Sequence, residues 1–486
     1  MTDAMRRSVL IAGVVAVIVG VGLADAGRGG ETTGSVGSPA RGVFSASGVG
    51  VSRSDAESSA WFCAGGTGAG ANAQAGLVLS NPAPRAITAT VSTVSAGTVT
   101  PAVAGPQSMS VVVPAGRQIN VVPAPGVSGG ALASSVVFDG GGVGVSQVVT
   151  GPLGDSAAPC ASTTAGNWYF ADGSTTGTNT LSLSLFNPSQ TTAVVDVSFV
   201  SSTNGLISPP AYQGIDVPGG SLVLENIGDH VRNVSDIATV VTTLSGAVVA
   251  AELESAGQPG NGGPSLTLGA VKPSSTWTFA QNMNVSGADT VFHLFNPTSR
   301  PARVTLKIGL QQGAAEPLVI RVPALSASVL DAASVTRIPA NTAFSATFSS
   351  GRSAGIVVSR SLSSVAGAPA PQLGDVAGVP GGSDRWLLPA ATLPITGVSA
   401  LTIVDQNPAV VTVGLVAVTP KGLVPVAGFG HRQVHPGRPL IVNPATGSVI
   451  GTVPLEVVSS GPVAVEVDAT PVGNQGVVVI PALSLP

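Results

Sequence analysis

The chain has 486 residues, enough for three or four ordinary domains, and 44% of them are hydrophobic. Only 9% are charged, against roughly 25% in an ordinary soluble domain, so Ser, Thr, Asn, Gln and Gly must cover its surface. The net charge of -4 is spread thinly and no Lys/Arg cluster could neutralise a run of phosphates, which excludes nucleic acid as an expected partner.

At the N-terminus, Arg6 and Arg7 precede seventeen uncharged residues, Ser8 to Ala24, and then the small-x-small pattern Ala24-Asp25-Ala26. Residues 1–26 are expected to form an apolar helix, either a signal peptide cleaved after Ala26 or a retained membrane anchor. Both readings hold the two arginines in the cytoplasm and export the remainder. Residues 27–47 are rich in Gly, Ser and Thr and read as a flexible linker. The only cysteines, Cys63 and Cys160, are then expected to pair as a disulfide, because an exported chain meets an oxidising environment. Neither has a His or a second Cys at ligand spacing, so no metal is expected there.

Four tryptophans, Trp61, Trp168, Trp277 and Trp386, are separated by 107, 109 and 109 residues. Each is followed after 19 to 21 residues by Asn-Pro, at Asn81-Pro82, Asn187-Pro188, Asn296-Pro297 and Asn407-Pro408. A later break recurs at Val113-Pro114, Val217-Pro218, Val322-Pro323 and, more loosely, His435-Pro436. The chain therefore reads as four copies of a unit of about 108 residues, spanning 48–160, 161–263, 264–372 and 373–486.

Within a unit the pattern has period two. Leu181, Leu183 and Leu185 alternate with serines, as do Val195, Val197 and Phe199 with Asp196 and Ser198. Such alternation marks half-buried strands. Asn-Pro is expected to end the first strand and turn the chain into an antiparallel return, since proline cannot donate to a ladder. Ser245-Gly246 reads as a hairpin between "ATVVTTL" and "AVVAAEL". About seven strands per unit predict an all-β chain of tandem immunoglobulin-like β-sandwiches. The alternative is a closed β-propeller with two blades per repeat. It is suggested by "VVVIPALSLP", which ends the chain and resembles the piece before each later Trp. That piece is either the last strand of a unit or a closure of the chain on itself. The tryptophans read as structural anchors, buried at the start of each unit.

The units "WYFADGST…LFNPSQTTAVVDVSF", with "VSQVVTGPLGDSAAPCAS" before them, are similar to an actinobacterial family of exported proteins catalogued as a domain of unknown function. The resemblance is clearest in the first two units and weakest in the fourth, where "WLLPAA" replaces W-[YF]-x-A-x-G. It implies an envelope location and a single N-terminal membrane segment. It carries no catalytic or binding residue.

The residues themselves reveal little chemistry. "GDSAAP" holds Asp155 and Ser156, but lacks the glycines of a chymotrypsin-like nucleophile and has no His before it; it reads as a loop turn beside Cys160. His293 lies in an alternating strand and reads as structural. His431 and His435 are four apart in a turn-like stretch with no nearby acid. Glu252 and Glu254 share a strand face and read as solvated. Asn233 and Asn284 stand in formal glycosylation sequons. No catalytic residue, cofactor or metal site is expected. The expectation is a non-catalytic, exported cell-envelope scaffold or interaction module, partnered by an envelope protein and touching the membrane only through its N-terminal segment. The alternative is a carbohydrate-binding array for cell-wall glycan, with Tyr169 and Tyr212 as its first candidates.

Overall fold

Alternating residues become strands throughout. The computed structural model describes residues 46–70, 73–100, 106–256, 263–284, 288–351, 355–364, 374–389, 395–442, 453–471 and 478–486. The expected N-terminal helix, 1–26, and nearly all of the linker, 27–47, lie outside these residues. Among the described residues the helical pieces are three single 3-10 turns, Pro210–Tyr212, Ile227–Asp229 and Ala332–Ser334.

Unit 1 holds β1 (Ser59–Thr67), β2 (Gln74–Asn81), β3 (Ile87–Thr100), β4 (Gln107–Val113), β5 (Arg117–Val121), β6 (Ser128–Phe138), β7 (Gly144–Gly151) and β8 (Gly154–Pro159). Hydrogen bonding orders them β4-β3-β6-β1 and β5-β2-β7-β8, with one parallel pairing, Thr67 with Gln74, joining the two groups.

Unit 2 follows with β9 (Asn167–Phe170), β10 (Thr180–Asn187), β11 (Ala193–Ser201), β12 (Gly205–Ile207), β13 (Ile215–Val217), β14 (Ser221–Asn226), β15 (Ala238–Ser245), β16 (Val249–Ala256) and β17 (Gly263–Leu268). Its sheets are β12-β11-β15-β9, with β13 also on β11, and β14-β10-β16-β17.

Unit 3 contains β18 (Thr276–Asn284), β19 (Ala288–Asn296), β20 (Ala302–Leu310), β21 (Leu318–Val322), β22 (Ser326–Asp331), β23 (Thr342–Ser350), β24 (Val357–Ser364) and β25 (Gly374–Ala377), arranged β18-β23-β20-β21 and β22-β19-β24-β25.

Unit 4 has β26 (Ser383–Leu388), β27 (Ile395–Asp405), β28 (Val411–Thr419), β29 (Gly422–Pro425), β30 (Arg432–Val434), β31 (Pro439–Val442), β32 (Leu455–Pro471), β33 (Val478–Pro481) and β34 (Leu483–Ser484). Here the long β32 serves both sheets, pairing first with β26 and β28 and then with β27 and β33.

Each unit is thus a two-sheet sandwich with eight strand positions, ordered 1-6-3-4 against 5-2-7-8. The all-β sandwich expectation holds, with one more strand than the seven expected; separate sheets take the place of a propeller's blades. Two local readings need correction. β10 and β11 do not pair across Asn187-Pro188, and β15 and β16 do not pair across Ser245-Gly246; each pair is divided between facing sheets. A turn signal reports a change of direction, and burying two apolar faces against each other favours crossing between sheets over folding back within one. Pairing also moves the boundaries. Gly263–Leu268 pairs with β16 and Gly374–Ala377 with β24, so units 2 and 3 end later than 263 and 372.

After its eighth strand each unit returns to its own first strand, through Phe62–Ala161, Tyr169–Ala270, Thr278–Val379 and Trp386–Ser484. "VVVIPALSLP" is therefore the end of unit 4. The units also close on one another. β8 packs on β17, β17 on β25, β25 on β33, and β33 back on β8. Leu387, Leu483 and Leu485 of unit 4 enter the same core as Leu77 and Val145 of unit 1, and Val51 N–H donates to Ser484 O at 3.1 Å. Both readings of the terminal piece are realised, by packed sandwiches.

The repeated residues hold each sandwich together. The tryptophans are 0–5% exposed. The indole Nε1 of Trp168, Trp277 and Trp386 donates to Val248 O (2.9 Å), Ile356 O (2.7 Å) and Val463 O (2.9 Å), so the first strand is tied to the connection between the sixth and seventh. The amides of Asn81, Asn187 and Asn296, each 0% exposed, donate to the carbonyls of Val113, Val217 and Val322. The Asn-Pro and Val-Pro breaks are thus two halves of one lock. In unit 4 the second strand ends at Asp405, which accepts from Asn407 N–H at 2.7 Å, while the Asn407 amide donates to Pro462 O. The corner of unit 4 is Asp405, and Asn407 lies two residues past it.

Cys63 and Cys160 form a disulfide between β1 and the return segment of unit 1. The matching places in units 2 and 3 hold Phe170 with Gly269 and Phe279 with Gly378. A Cβ on either glycine would lie 2.7 or 2.8 Å from the ring, so a phenyl on a bare backbone fills the space of the bridge.

Candidate functional site

The chemistry of the chain gathers where successive units meet. At the junction of units 2 and 3, Asp172 follows β9, Asp236 precedes β15, and Glu252 and Glu254 stand on β16. From unit 3, β19 brings His293 and β25 brings Asp375. Five carboxyls and one imidazole meet here across a packed interface.

His293 is 6% exposed. Its Nε2 lies 3.2 Å from Asp172 Oδ2 and 2.9 Å from Ser361 Oγ. Its Nδ1 faces Asp236 Oδ1 at 3.7 Å, beyond hydrogen-bond reach, and has no hydrogen-bond partner. One donor atom from each of Asp172, Asp236 and His293 can be chosen so that all three lie within 4.8 Å of one another. Asp236 keeps 29% of its side chain in contact with solvent, and Asp172 12%. Glu254 accepts from Ser174 N–H and from the Asn179 amide, both at 3.2 Å, and so pins the loop that carries Asp172. Asp375 N–H donates to Ser265 Oγ at 2.7 Å across the junction. Asp375 is half-buried by area, yet its Oδ1 is closed off from solvent.

Burial disfavours charge on Asp172, Glu252, Glu254, Asp375 and His293. It raises Asp172 to about 7 despite a hydrogen bond with Asp375. It raises Asp375, Glu252 and Glu254 well above the usual carboxylate range, and their mutual repulsion adds to the effect. Burial lowers His293, opposed by the charges of Asp375 and Asp236. Glu252 and Glu254 are 3% and 5% exposed, which corrects the expectation of solvated glutamates. Their strand face is turned to the next unit, a partner that period-two alternation does not reveal.

The other junctions serve as internal controls. His293 stands three residues before the Asn296 corner, and Asp172 four after Trp168. The same places at the junction of units 3 and 4 hold Thr402 and Gln281, whose Oγ1 and Oε1 are hydrogen-bonded. At the first junction they hold Ser184 and Gly65, with Leu266 filling the space over the glycine. Neutral side chains therefore suffice to pack this position.

The junction of units 3 and 4 has charges of its own, Arg360 with Glu466 and with Asp468, whose carboxyl burial raises well above the usual range. Arg360, 0% exposed, forms a 2.7 Å ion pair with Glu466 Oε1 and donates to Gln281 O and Asn282 Oδ1. Glu466 Oε2 accepts from Ala280 and Gln281 N–H at 2.9 and 3.2 Å.

Other residues singled out from sequence lie apart. Asp155 and Ser156 are on β8, a strand and not a turn, and Ser156 Oγ accepts from Leu266 N–H at 3.0 Å. His431 and His435 are exposed. Tyr212 is 1% exposed, with its hydroxyl on Asn226 O at 2.7 Å, and Tyr169 is half-buried, so neither offers an open ring to a sugar. A hollow of about 290 Å³ between Leu310–Gln312 and Pro339–Ala343 has no titratable lining residue and shares none with the junction. No described helix is long and apolar enough to cross a membrane.

Residues 142–383, from the approach to β7 to the start of β26, match a family of unknown function (DUF5719), and every residue of the junction cluster lies inside this match. No curated protein matches the chain. Among solved structures, a Thermotoga maritima protein, titled "Crystal Structure of Thermotoga maritima 1070", aligns at 14% identity over 22% of this chain and 94% of its own, with a TM-score of 0.21.

Proposed function

We propose, for a chain whose residues 142–383 belong to that family of unknown function, a non-catalytic role as a cell-envelope scaffold outside the cytoplasmic membrane. The Cys63–Cys160 disulfide suits an oxidising compartment, and the N-terminal apolar run supplies export in either of its readings. The repeated Trp and Asn residues and the two cysteines all serve internal packing, and the sandwiches are locked at their junctions, which favours a rigid support.

One observation carries the reading furthest. The fourth strand position lies at a sheet edge in every unit and exposes an apolar side chain there: Val112 (59%), Leu206 (60%), Val319 (42%) and Leu423 (50%). An unpaired edge with an apolar side chain is a template for an added partner strand. The test is fractionation of cells followed by cross-linking and recovery of partners from the envelope. The expected result is the chain in the envelope fraction, with partners lost on Leu206→Asp and Val319→Asp substitution. A cytosolic chain, or recovery unchanged by these substitutions, would reject the proposal.

A further inference from the structure

We propose that Asp172, Asp236 and His293 bind one divalent transition-metal ion of the Zn²⁺ type, which clamps unit 2 to unit 3. An acidic cluster alone would not carry this. The second observation is His293 itself: a ring enclosed by protein, with Ser361 Oγ at 2.9 Å and Asp172 Oδ2 at 3.2 Å from Nε2, and with Nδ1 left without a hydrogen bond and facing Asp236. A separation of 3.7 Å between Nδ1 and Asp236 Oδ1 is too long for a hydrogen bond. It is close to the spacing of two donors around a single ion with bonds of roughly 2.0–2.2 Å.

The donor set selects the cation. One imidazole nitrogen and two carboxylate oxygens suit Zn²⁺; Ca²⁺ requires six to eight oxygens. Two carboxylates balance the charge of the ion. The solvent-facing side of Asp236 gives a route of entry, so the ion need not be trapped during folding. Packing supplies no competing reason for this charge, because Thr402 with Gln281 and Ser184 with Gly65 occupy the same places without any.

The full chain, stripped with a chelator, would be titrated with Zn²⁺ alone by calorimetry, with bound metal counted by mass spectrometry and thermal unfolding followed in parallel. One Zn²⁺ per chain is expected, with a rise in Tm on binding. Asp236→Asn and His293→Gln should each weaken binding at least tenfold. Asp236 has a positive φ of 55°, which Asn also tolerates, and it is partly exposed, so D236N should fold and retain the far-ultraviolet spectrum of the parent. A chain altered at both His431 and His435 to Gln should bind as the parent does. Absence of stoichiometric Zn²⁺, tighter uptake of Ca²⁺, unchanged binding by D236N, or loss of binding in the His431/His435 variant would each overturn the assignment.

Discussion

Asn296→Ala tests the lock at the centre of each unit. The Asn296 amide donates to Arg300 O (2.8 Å), Val322 O (3.2 Å) and Pro323 O (2.8 Å), and its Oδ1 accepts from Thr298 N–H (3.0 Å) and Thr298 Oγ1 (2.7 Å). Five hydrogen bonds at roughly 0.5–1.5 kcal/mol each set a gross loss of about 2.5–7.5 kcal/mol. Water can reach the Thr298 and Arg300 side of the turn and recover part of it, but the Val322 carbonyl is stranded inside. The expected net cost is about 3–4 kcal/mol. Peptide-resolved hydrogen exchange on the full chain isolates the effect, since whole-chain unfolding of four packed units need not be two-state. Amides of β19 to β22 should exchange on the order of a hundred- to a thousandfold faster, with units 1 and 2 little changed. Thr298→Ala, which removes the hydroxyl's contacts with Asn296 Oδ1 and with the O and N–H of Arg300 on the water-accessible side of the turn, should shift them less than tenfold. An Asn296→Ala effect no larger than that of Thr298→Ala would refute the idea that the corner and the Val-Pro break are one device.

Reduction of Cys63–Cys160 should destabilise unit 1 by up to about 4–5 kcal/mol in the chain-entropy limit while leaving protection in units 2 and 3 intact, as read by exchange with and without reductant. Gly269→Ala should cost about 1–3 kcal/mol by overpacking Phe170, visible as a lower denaturant midpoint for unit 2. Arg360→Met leaves Glu466 buried without its cation and should cost about 3–5 kcal/mol, and adding Glu466→Gln should recover part of the loss in a double-mutant cycle. Stability of the metal-free chain should fall as pH rises. Burial lifts Asp172 to about 7 and Glu252, Glu254 and Asp375 well above their unfolded values near 4, so the folded state holds more protons in that window. His293, lowered by burial, acts in the opposite direction below about 6.5, but it is one group against four. Denaturant midpoints between pH 5 and 9 would check this, and midpoints that rise steadily across the range would contradict it.

Much of the fold was legible along the chain. Period-two alternation, the spaced tryptophans and the paired Asn-Pro and Val-Pro breaks determined four all-β units, because strand faces and turn chemistry are written locally. The same locality explains the misreadings. Asn187-Pro188 and Ser245-Gly246 signal turns, but only the packing of two sheets decided that these turns cross between them. Asn407-Pro408 copied the motif two residues late, and only strand register revealed Asp405 as the corner.

The candidate site was not legible at all. Asp172, Asp236, His293 and Asp375 span some two hundred residues, and no spacing rule connects them. Glu252 and Glu254 looked solvated because alternation tells which side chains share a face and leaves open what covers it. The sequence alone determined the module, its copy number and its disulfide. The contact of one module with the next was decided in three dimensions, because burial at a junction depends on surfaces brought together from separate units.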